Sequence, residues 1–180
     1  MKKTLACIST IIVIIGVFVI VRYNTVNLNI PKNYKLDAYS LNEELILDDM
    51  SIKVNDYKVY ERDTLIDGDN HFEITLKVSV KNITKGVINL SNLLINDKIS
   101  YKTYYQDYSD VEGDYSKIRN LKPQESTDLE IKYLLFRDEI EQLGAGGKLR
   151  FYPPKNSFKN QIINEYNNGY LYGKYVELGE

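Results

Sequence analysis

The sequence predicts a mainly β protein, an antiparallel β-sandwich preceded by a single N-terminal transmembrane helix. Two observations carry this prediction. An uncharged apolar run, residues 5–21, begins four residues into the chain. Beyond residue 45, short segments with period-two alternation follow one another with turn residues between them and little helical pattern. That arrangement is typical of a sandwich, with a small barrel as the alternative.

The apolar run is just long enough to cross the hydrocarbon core of a bilayer as a helix, since each residue adds about 1.5 Å. Twelve of its seventeen residues are Leu, Ile, Val or Phe, which together favour insertion by about 4 to 7 kcal/mol. Lys2 and Lys3 precede it, and no small-x-small cleavage pattern follows it. We therefore expect a retained anchor rather than a cleaved signal peptide, the competing interpretation. Cys7 precedes most of the run, which argues against lipidation there.

The predicted orientation places residues 1–4 in the cytoplasm, residues 5–22 in the cell membrane and the bulk of the chain outside. Residues 23–180 carry 20 Lys and Arg against 25 Asp and Glu, a net charge of −5, which argues against nucleic acid as a partner. The single cysteine lies in the predicted span, so the folded domain has no disulfide, as is ordinary for bacterial surface proteins. Abundant Ile, Asn, Lys and Tyr without Trp indicate a low-GC Gram-positive source.

The chain after the span divides into a tether and a domain. Residues 23–44 are polar with no sustained period, which predicts a tether that lifts the domain off the membrane. The domain, residues 45–152, has its clearest strand at 71–81, where five apolar residues alternate with polar ones; we take this as the central strand. The strand at 51–62 changes phase at Asn55-Asp56, which predicts a bulge or tight turn there.

Four further strands complete the predicted domain. They are expected at residues 87–95, 99–105, 127–136 and 148–152. Asn96-Asp97-Lys98 is short enough to form a hairpin turn between the first two of these. A single helical turn is expected at 137–143, before a glycine-rich turn at 144–147.

The C-terminal extension, residues 153–180, is predicted to add a short helix and one more strand. Ser157 can cap the helix, and Asn168-Gly169 stops it. The strand-like segment at 170–178 then adds an edge strand or packs on the outside of the domain.

Two segments carry a resemblance to a known group. They are the strand ending Val78-Ser79-Val80-Lys81-Asn82 and the turn Leu121-Lys122-Pro123-Gln124-Glu125-Ser126, which an alternating strand follows. Over roughly residues 45–152 the chain resembles the immunoglobulin-like (telokin-like) extracytoplasmic domains of unknown function from Gram-positive bacterial surface proteins and lipoproteins. That group commonly has Gly where Gln124 stands, and Gln124 favours a type I turn over type II. The resemblance implies an immunoglobulin-like antiparallel β-sandwich and brings no catalytic residues.

The sequence predicts no catalytic residues, no cofactor-binding residues and no metal ligands. The one histidine, His71, lies at the start of the central strand on its polar face, and no Gly-x-Ser-x-Gly segment accompanies it. One histidine and one membrane cysteine cannot make a typical zinc site. We therefore expect a protein that is not an enzyme and that needs no cofactor.

An acidic cluster lies in a predicted loop after the strand at 99–105: Asp107, Asp110, Glu112 and Asp114. The last three have the spacing of the first, third and fifth ligands of a calcium loop. Tyr115 stands where that loop needs Gly, and Leu121 stands where it needs a bidentate Glu. A hydrated loop is therefore the favoured interpretation, and calcium binding is the alternative.

Tyrosine is in excess, at 16 of 180 residues. Five tyrosines cluster in the same part of the chain: Tyr101, Tyr104, Tyr105, Tyr108 and Tyr115. A tyrosine can bury its ring while its hydroxyl stays in water, which suits an interaction surface for protein or glycan. The alternative is that tyrosine replaces Phe and Trp in a half-exposed sheet.

These features favour a membrane-anchored extracytoplasmic binding or accessory module without catalytic chemistry. Its expected partners are the membrane, through the N-terminal helix, and another cell-envelope protein or a wall polymer. The alternative is an immunity or protective factor that blocks a secreted toxin or hydrolase at the membrane face. A hydrolase built on His71 is a distant third hypothesis.

Overall fold

The computed structural model describes residues 2–28, 30–62, 71–91 and 96–179, with the side chains of all of these except residues 2–11 and 62. The helices are α1 (Lys2–Asn27), α2 (Tyr115–Arg119), α3 (Arg137–Leu143) and α4 (Lys159–Asn167), with a 3-10 turn at Lys155–Phe158. The strands are β1 (Asn33–Ser40), β2 (Glu44–Ile46), β3 (Met50–Arg62), β4 (His71–Asn82), β5 (Lys98–Tyr101), β6 (Tyr104–Gly113), β7 (Ser126–Phe136), β8 (Leu149–Tyr152) and β9 (Tyr170–Gly179).

The nine described strands are ordered β1-β9-β8-β5-β6-β7-β4-β3-β2 and fold into two layers at β6. Residues 104–107 of β6 pair with β5, and residues 108–113 pair with β7. We call β2, β3, β4, β7 and the second half of β6 the regular sheet. We call β1, β9, β8, β5 and the first half of β6 the split sheet. One apolar core, with buried residues from both sheets, lies between them.

The regular sheet confirms the alternation read from the sequence. Strands β3, β4 and β7 pair antiparallel, and Leu76 of β4, which is fully buried, lies opposite Ile131 of β7. The ladder between β3 and β4 shifts register between Val54 and Asp56, which confirms the predicted bulge. Because one face of these strands is buried, a one-residue slip would expose every apolar side chain on it.

The predicted strand at 99–105 is wrong, because a hairpin lies within it. Strand β5 ends at Tyr101 and β6 begins at Tyr104, with Lys102 at φ +52° in the turn. The hairpin turn predicted at residues 96–98 is also wrong, because the two neighbours of β5 in the sheet are β6 and β8. Alternation continues through a two-residue turn when neither turn residue is Gly or Asn, so the period alone does not locate it.

The predicted strand at 87–95 is not found among the described residues. Ile88 makes only an isolated bridge with Leu121, and residues 92–95 lie outside the described part of the chain. Farther along the chain, α3 confirms the helical turn expected at 137–143.

The segment assigned to a tether, residues 23–44, contains regular structure. Helix α1 continues to Asn27, and β1 pairs in parallel with β9, with Asn33 opposite Tyr170. The partner strand lies at the other end of the sequence, so no local pattern indicates this pairing. Among the residues described with side chains, no helix has the length and hydropathy that a membrane span requires.

The C-terminal segment forms the predicted helix and strand, with two corrections. Ser157 does not cap the helix: its hydroxyl donates to the carbonyl of Pro154 at 2.6 Å, while Asp48 Oδ2 accepts from the backbone N–H of Asn160 at 2.7 Å. An anionic carboxylate at a helix N-terminus is stabilised by the helix dipole. The second half of strand β9 is not an edge, because β1 and β8 both pair with it there, whereas its first half pairs with β1 alone.

The turn before β7 also differs from its predicted form. Gln124 has φ +60°, which is the left-handed conformation of the second central residue in a type II turn. The backbone N–H of Glu125 donates to the carbonyl of Lys122 at 3.1 Å and closes this turn. Glycine would adopt this conformation without strain.

Candidate functional site

The acidic cluster is not a hydrated loop, because three of its four members lie on strand β6. Asp107 forms an ion pair with Lys98 at 2.6 Å, and Asp110 and Glu112 both approach Lys132. Asp114 caps helix α2 instead. The described residues contain no group of three or more His, Cys, Asp or Glu side chains placed to hold a metal ion.

The hydrogen bonds of the α2 cap affect the pKa of Asp114. Its Oδ1 accepts from the Ser116 hydroxyl at 2.6 Å and from the Ser116 backbone N–H at 2.9 Å. Hydrogen bonds from the Ser116 side chain, and then from the Lys117 backbone, lower the pKa of Asp114. The carboxylates of this region therefore serve ion pairs and a helix cap.

The tyrosines of residues 101–115 are divided between different surfaces. Tyr101, Tyr104 and Tyr108 pack partly against the core, whereas Tyr105 and Tyr115 are exposed. The Tyr101 hydroxyl donates to the carbonyl of Gly144 at 2.9 Å and accepts from the N–H of Gly147 at 3.1 Å. Tyr105 alone of the five lines the groove described next.

A groove of about 870 Å³ opens where the split sheet divides. The ladder between β8 and β9 ends with Phe151 opposite Val176, although β9 begins six residues earlier, at Tyr170. Pro153 and Pro154 follow β8 and end its pairing, because proline has no backbone N–H to donate to a neighbouring strand. They lead into the 3-10 turn. The groove is the space left beside the first half of β9, and sequence analysis missed it.

Aromatic and basic side chains line this groove. Its six tyrosines are Tyr34, Tyr105, Tyr152, Tyr166, Tyr170 and Tyr172, and its three lysines are Lys98, Lys155 and Lys174. Among the described lining residues there is no Asp or Glu. The ring centroids of Tyr105 and Tyr152 are 5.6 Å apart, and those of Tyr152 and Tyr175 are 5.7 Å apart. These three rings form a row across the outer face of the split sheet.

Lys174 is the most unusual residue of the groove, since this lysine is only 5% exposed. Its ammonium donates to the carbonyl of Ile46 at 2.6 Å and lies 5.7 Å from the Tyr39 ring centroid and 5.9 Å from that of Tyr172. Burial lowers the pKa of Lys174, against the opposing charges of nearby carboxylates. An ammonium has three donors, and one protein acceptor is recorded for this one within the described residues.

The hydroxyl of Tyr172 donates to Asp37 Oδ2 across the β1–β9 pair. Burial and this hydrogen bond raise the pKa of Tyr172 above its usual range. Lys35 forms an ion pair with Glu165 of helix α4 at 2.7 Å and lies over the Tyr172 ring. These contacts hold the inner wall of the groove in place.

A second buried ionisable group, Asp97, lies between the sheets immediately before β5. Its side chain is fully buried beside the hydroxyl of Tyr133. Burial raises the pKa of Asp97 to about 8, and the neighbouring Tyr133 hydroxyl acts in the opposite direction. His71, the residue that a hydrolase would need, is half-buried at the first position of β4, opposite Phe136.

A solved β-sandwich structure shares this fold. An uncharacterized β-sandwich protein from Clostridium difficile 630 superposes with a TM-score of 0.53 at 15% identity, over 82% of this chain and 97% of that one. A functionally unknown protein from Listeria monocytogenes EGD-e gives a TM-score of 0.48 at 14% identity, over 64% of this chain and 73% of that one. No family model matches the sequence, and a search of the curated proteins finds no match. The first likeness establishes a β-sandwich fold.

Proposed function

We propose that this protein is a membrane-anchored extracytoplasmic binding module whose ligand site is the groove of the split sheet. The observation that carries the proposal is the groove itself, with tyrosines and lysines converging where β8 leaves β9. Concave sites with aromatic walls and a few polar groups are the usual form of binding sites. The immunoglobulin-like class of the sandwich is part of the same proposal and rests on the turn and strand that carry the resemblance.

The apolar run at residues 5–21 supports the anchor, and the fold indicates how close the domain sits to it. Helix α1 ends at Asn27 and β1 begins at Asn33. The six Cα–Cα steps from Asn27 to Asn33 span at most about 22 Å when fully extended. A domain on so short a connection stays beside the membrane surface, so its ligand is a component of the cell envelope or a molecule arriving there.

Fractionation of cells that express the full-length chain tests the anchor. We expect the protein in the membrane fraction, released by detergent and not by high salt, and digested by protease added to intact protoplasts. Arginine in place of Ile14 and Phe18 should move the protein out of that fraction, since each charge costs about 3 kcal/mol near the centre of a bilayer. Recovery of the intact, unaltered chain in the cytosol would overturn the proposal.

Retention of envelope components tests the groove. Detergent-solubilised full-length protein is immobilised and incubated with isolated wall polymer and with solubilised envelope proteins. We expect specific retention that the Tyr105→Ala, Tyr152→Ala double variant loses. The matched control is Tyr115→Ala, because Tyr115 is 68% exposed and lies outside the groove. Equal retention by both variants would place binding elsewhere on the molecule.

A further inference from the structure

The groove follows the edge of strand β9. Successive side chains of a strand point to opposite faces, so a pocket on one face is lined by every second residue. Here five consecutive residues, 170–174, line the same groove. Because side chains from both faces of the strand line the groove, the groove lies along the backbone edge of β9 and not over one face.

The first half of β9 has a neighbouring strand on one side only. On the far side, β1 pairs with β9 from Tyr170 to Glu177. On the groove side, the described ladder with β8 starts only at Val176, opposite Phe151. The backbone of residues 170–174 therefore faces the groove without a neighbouring strand, and such an edge is a template for pairing with another chain.

We infer that the groove takes an extended, acidic peptide segment of a partner protein, which pairs with β9 as an additional strand. This inference rests on the proposed function and names the ligand class of its site. Alternate side chains of the peptide would contact the tyrosine row on the outer face and the inner pocket formed by Phe158, Ile162 and Lys174. Main-chain hydrogen bonds would supply the affinity, and these two sets of side-chain contacts would supply the specificity.

The charge of the lining selects an acidic peptide. Lys98 is paired with Asp107, but Lys155 and Lys174 form no salt bridge within the described part of the chain. The lining carries three lysines and no carboxylate, although residues 23–180 have an excess of acids. A carboxylate on the peptide would reach the desolvated ammonium of Lys174, where a charge-assisted hydrogen bond is stronger than one in water.

A glycan would use this groove differently. Sugar rings stack on exposed aromatic faces and need no unpaired strand edge beside them. The free edge of β9 thus favours a peptide, and glycan binding becomes one outcome of the test.

The test uses full-length protein in detergent micelles and a fluorescent heptapeptide that alternates Val and Glu. We expect saturable binding by fluorescence anisotropy, slower hydrogen exchange at the amides of residues 170–174, and at least tenfold weaker binding when Pro replaces each Val or Lys replaces each Glu. Lys174→Met should weaken binding of the Glu peptide at least fivefold. The matched control, Lys85→Met, should leave it unchanged, because Lys85 is exposed outside the groove.

The alternative outcomes separate this inference from the proposed function. If an N-acetylglucosamine oligomer binds and the peptide does not, or if the peptide binds without protecting residues 170–174, the peptide inference is wrong. If envelope components are still retained and still lost in the Tyr105→Ala, Tyr152→Ala variant, the proposed function stands without it. If neither peptide nor envelope components are retained, both fail.

Discussion

The two sheets of the sandwich present different inner faces to the same core. In the regular sheet the buried face of β4 is an uninterrupted series of apolar residues, Ile74, Leu76, Val78 and Val80. The split sheet buries Ile99, Phe151 and Val176, but it also places Asp97 and Lys174 in the interior. These two are the only buried charged residues in the described part of the chain. The regular sheet therefore provides register and stability, while the split sheet provides the buried Asp97 and Lys174 and the groove.

The largest effect that we expect from this difference is a pH dependence of stability that originates at Asp97. Its pKa is raised to about 8 in the folded state and is near its usual value of about 3.9 when unfolded, so only the folded state keeps the proton between these values. The contribution of Asp97 to the free energy of unfolding is therefore greatest below about pH 4 and falls as the pH rises to about 8. The loss is as much as about 5 kcal/mol.

Asp97→Asn should remove this dependence, because the amide is similar in shape and does not ionise. Urea unfolding of the full-length protein at pH 5 and pH 8 measures it: we expect the variant to be the more stable protein at pH 8. Asp49→Asn is the matched control, since Asp49 is exposed and is not among the groups that shift the pKa of Asp97. Parallel pH profiles for the unaltered protein and Asp97→Asn would show that Asp97 is not the source.

The regular sheet is tested by removing buried apolar volume. Leu76→Ala should lower the free energy of unfolding by about 2 to 5 kcal/mol, because it leaves a cavity between β4 and its neighbours. Leu36→Ala in the split sheet should change it by no more than about 0.5 kcal/mol, since Leu36 is 60% exposed. Similar losses in the two variants, measured by urea unfolding, would contradict the burial of Leu76 in the core.

A smaller loss is expected at Gly147, beside the β5–β6 hairpin. A Cβ atom there would lie 2.5 Å from Tyr101 Cζ, so the ring and its hydrogen bonds to the 144–147 turn must shift. Gly147→Ala should cost about 1 to 3 kcal/mol by overpacking. Gly86→Ala is the control, because its Cβ would meet nothing within 4 Å. A thermal unfolding midpoint unchanged by Gly147→Ala would mean that Tyr101 moves freely.

Sequence reasoning succeeded where the determining contacts repeat locally. The alternation in β4 and β7 and the phase change at Asn55 are visible within ten residues, and the structure confirms them. The split sheet depends on contacts that no window contains, since β1 and β9 come from opposite ends of the described chain. The groove follows from that pairing together with the early end of β8. Pro153 and Pro154 indicate where β8 ends, but no local sequence pattern shows that β9 extends beyond the end of β8.

Asp97 shows the same limit for a single side chain. Asn96-Asp97-Lys98 has the composition of a turn, and polar residues in turns are usually hydrated. The buried Asp97 carboxyl lies beside the Tyr133 side chain, which belongs to β7 of the opposite sheet. A pattern of residue types along the chain does not report such a contact.

The smallest predicted effect is at Gln124, in the turn before β7, where the backbone conformation is unfavourable for a residue with a side chain. A residue with a side chain at φ +60° carries a conformational cost of about 1 kcal/mol that glycine avoids. Gln124→Gly should therefore raise stability by up to about 1 kcal/mol, reduced by the greater freedom of glycine in the unfolded chain. Lys122→Gly in the same turn should give no gain, since Lys122 is not among the residues with positive φ. A lower unfolding midpoint for Gln124→Gly would mean that the glutamine side chain stabilises the turn by more than its backbone strain costs.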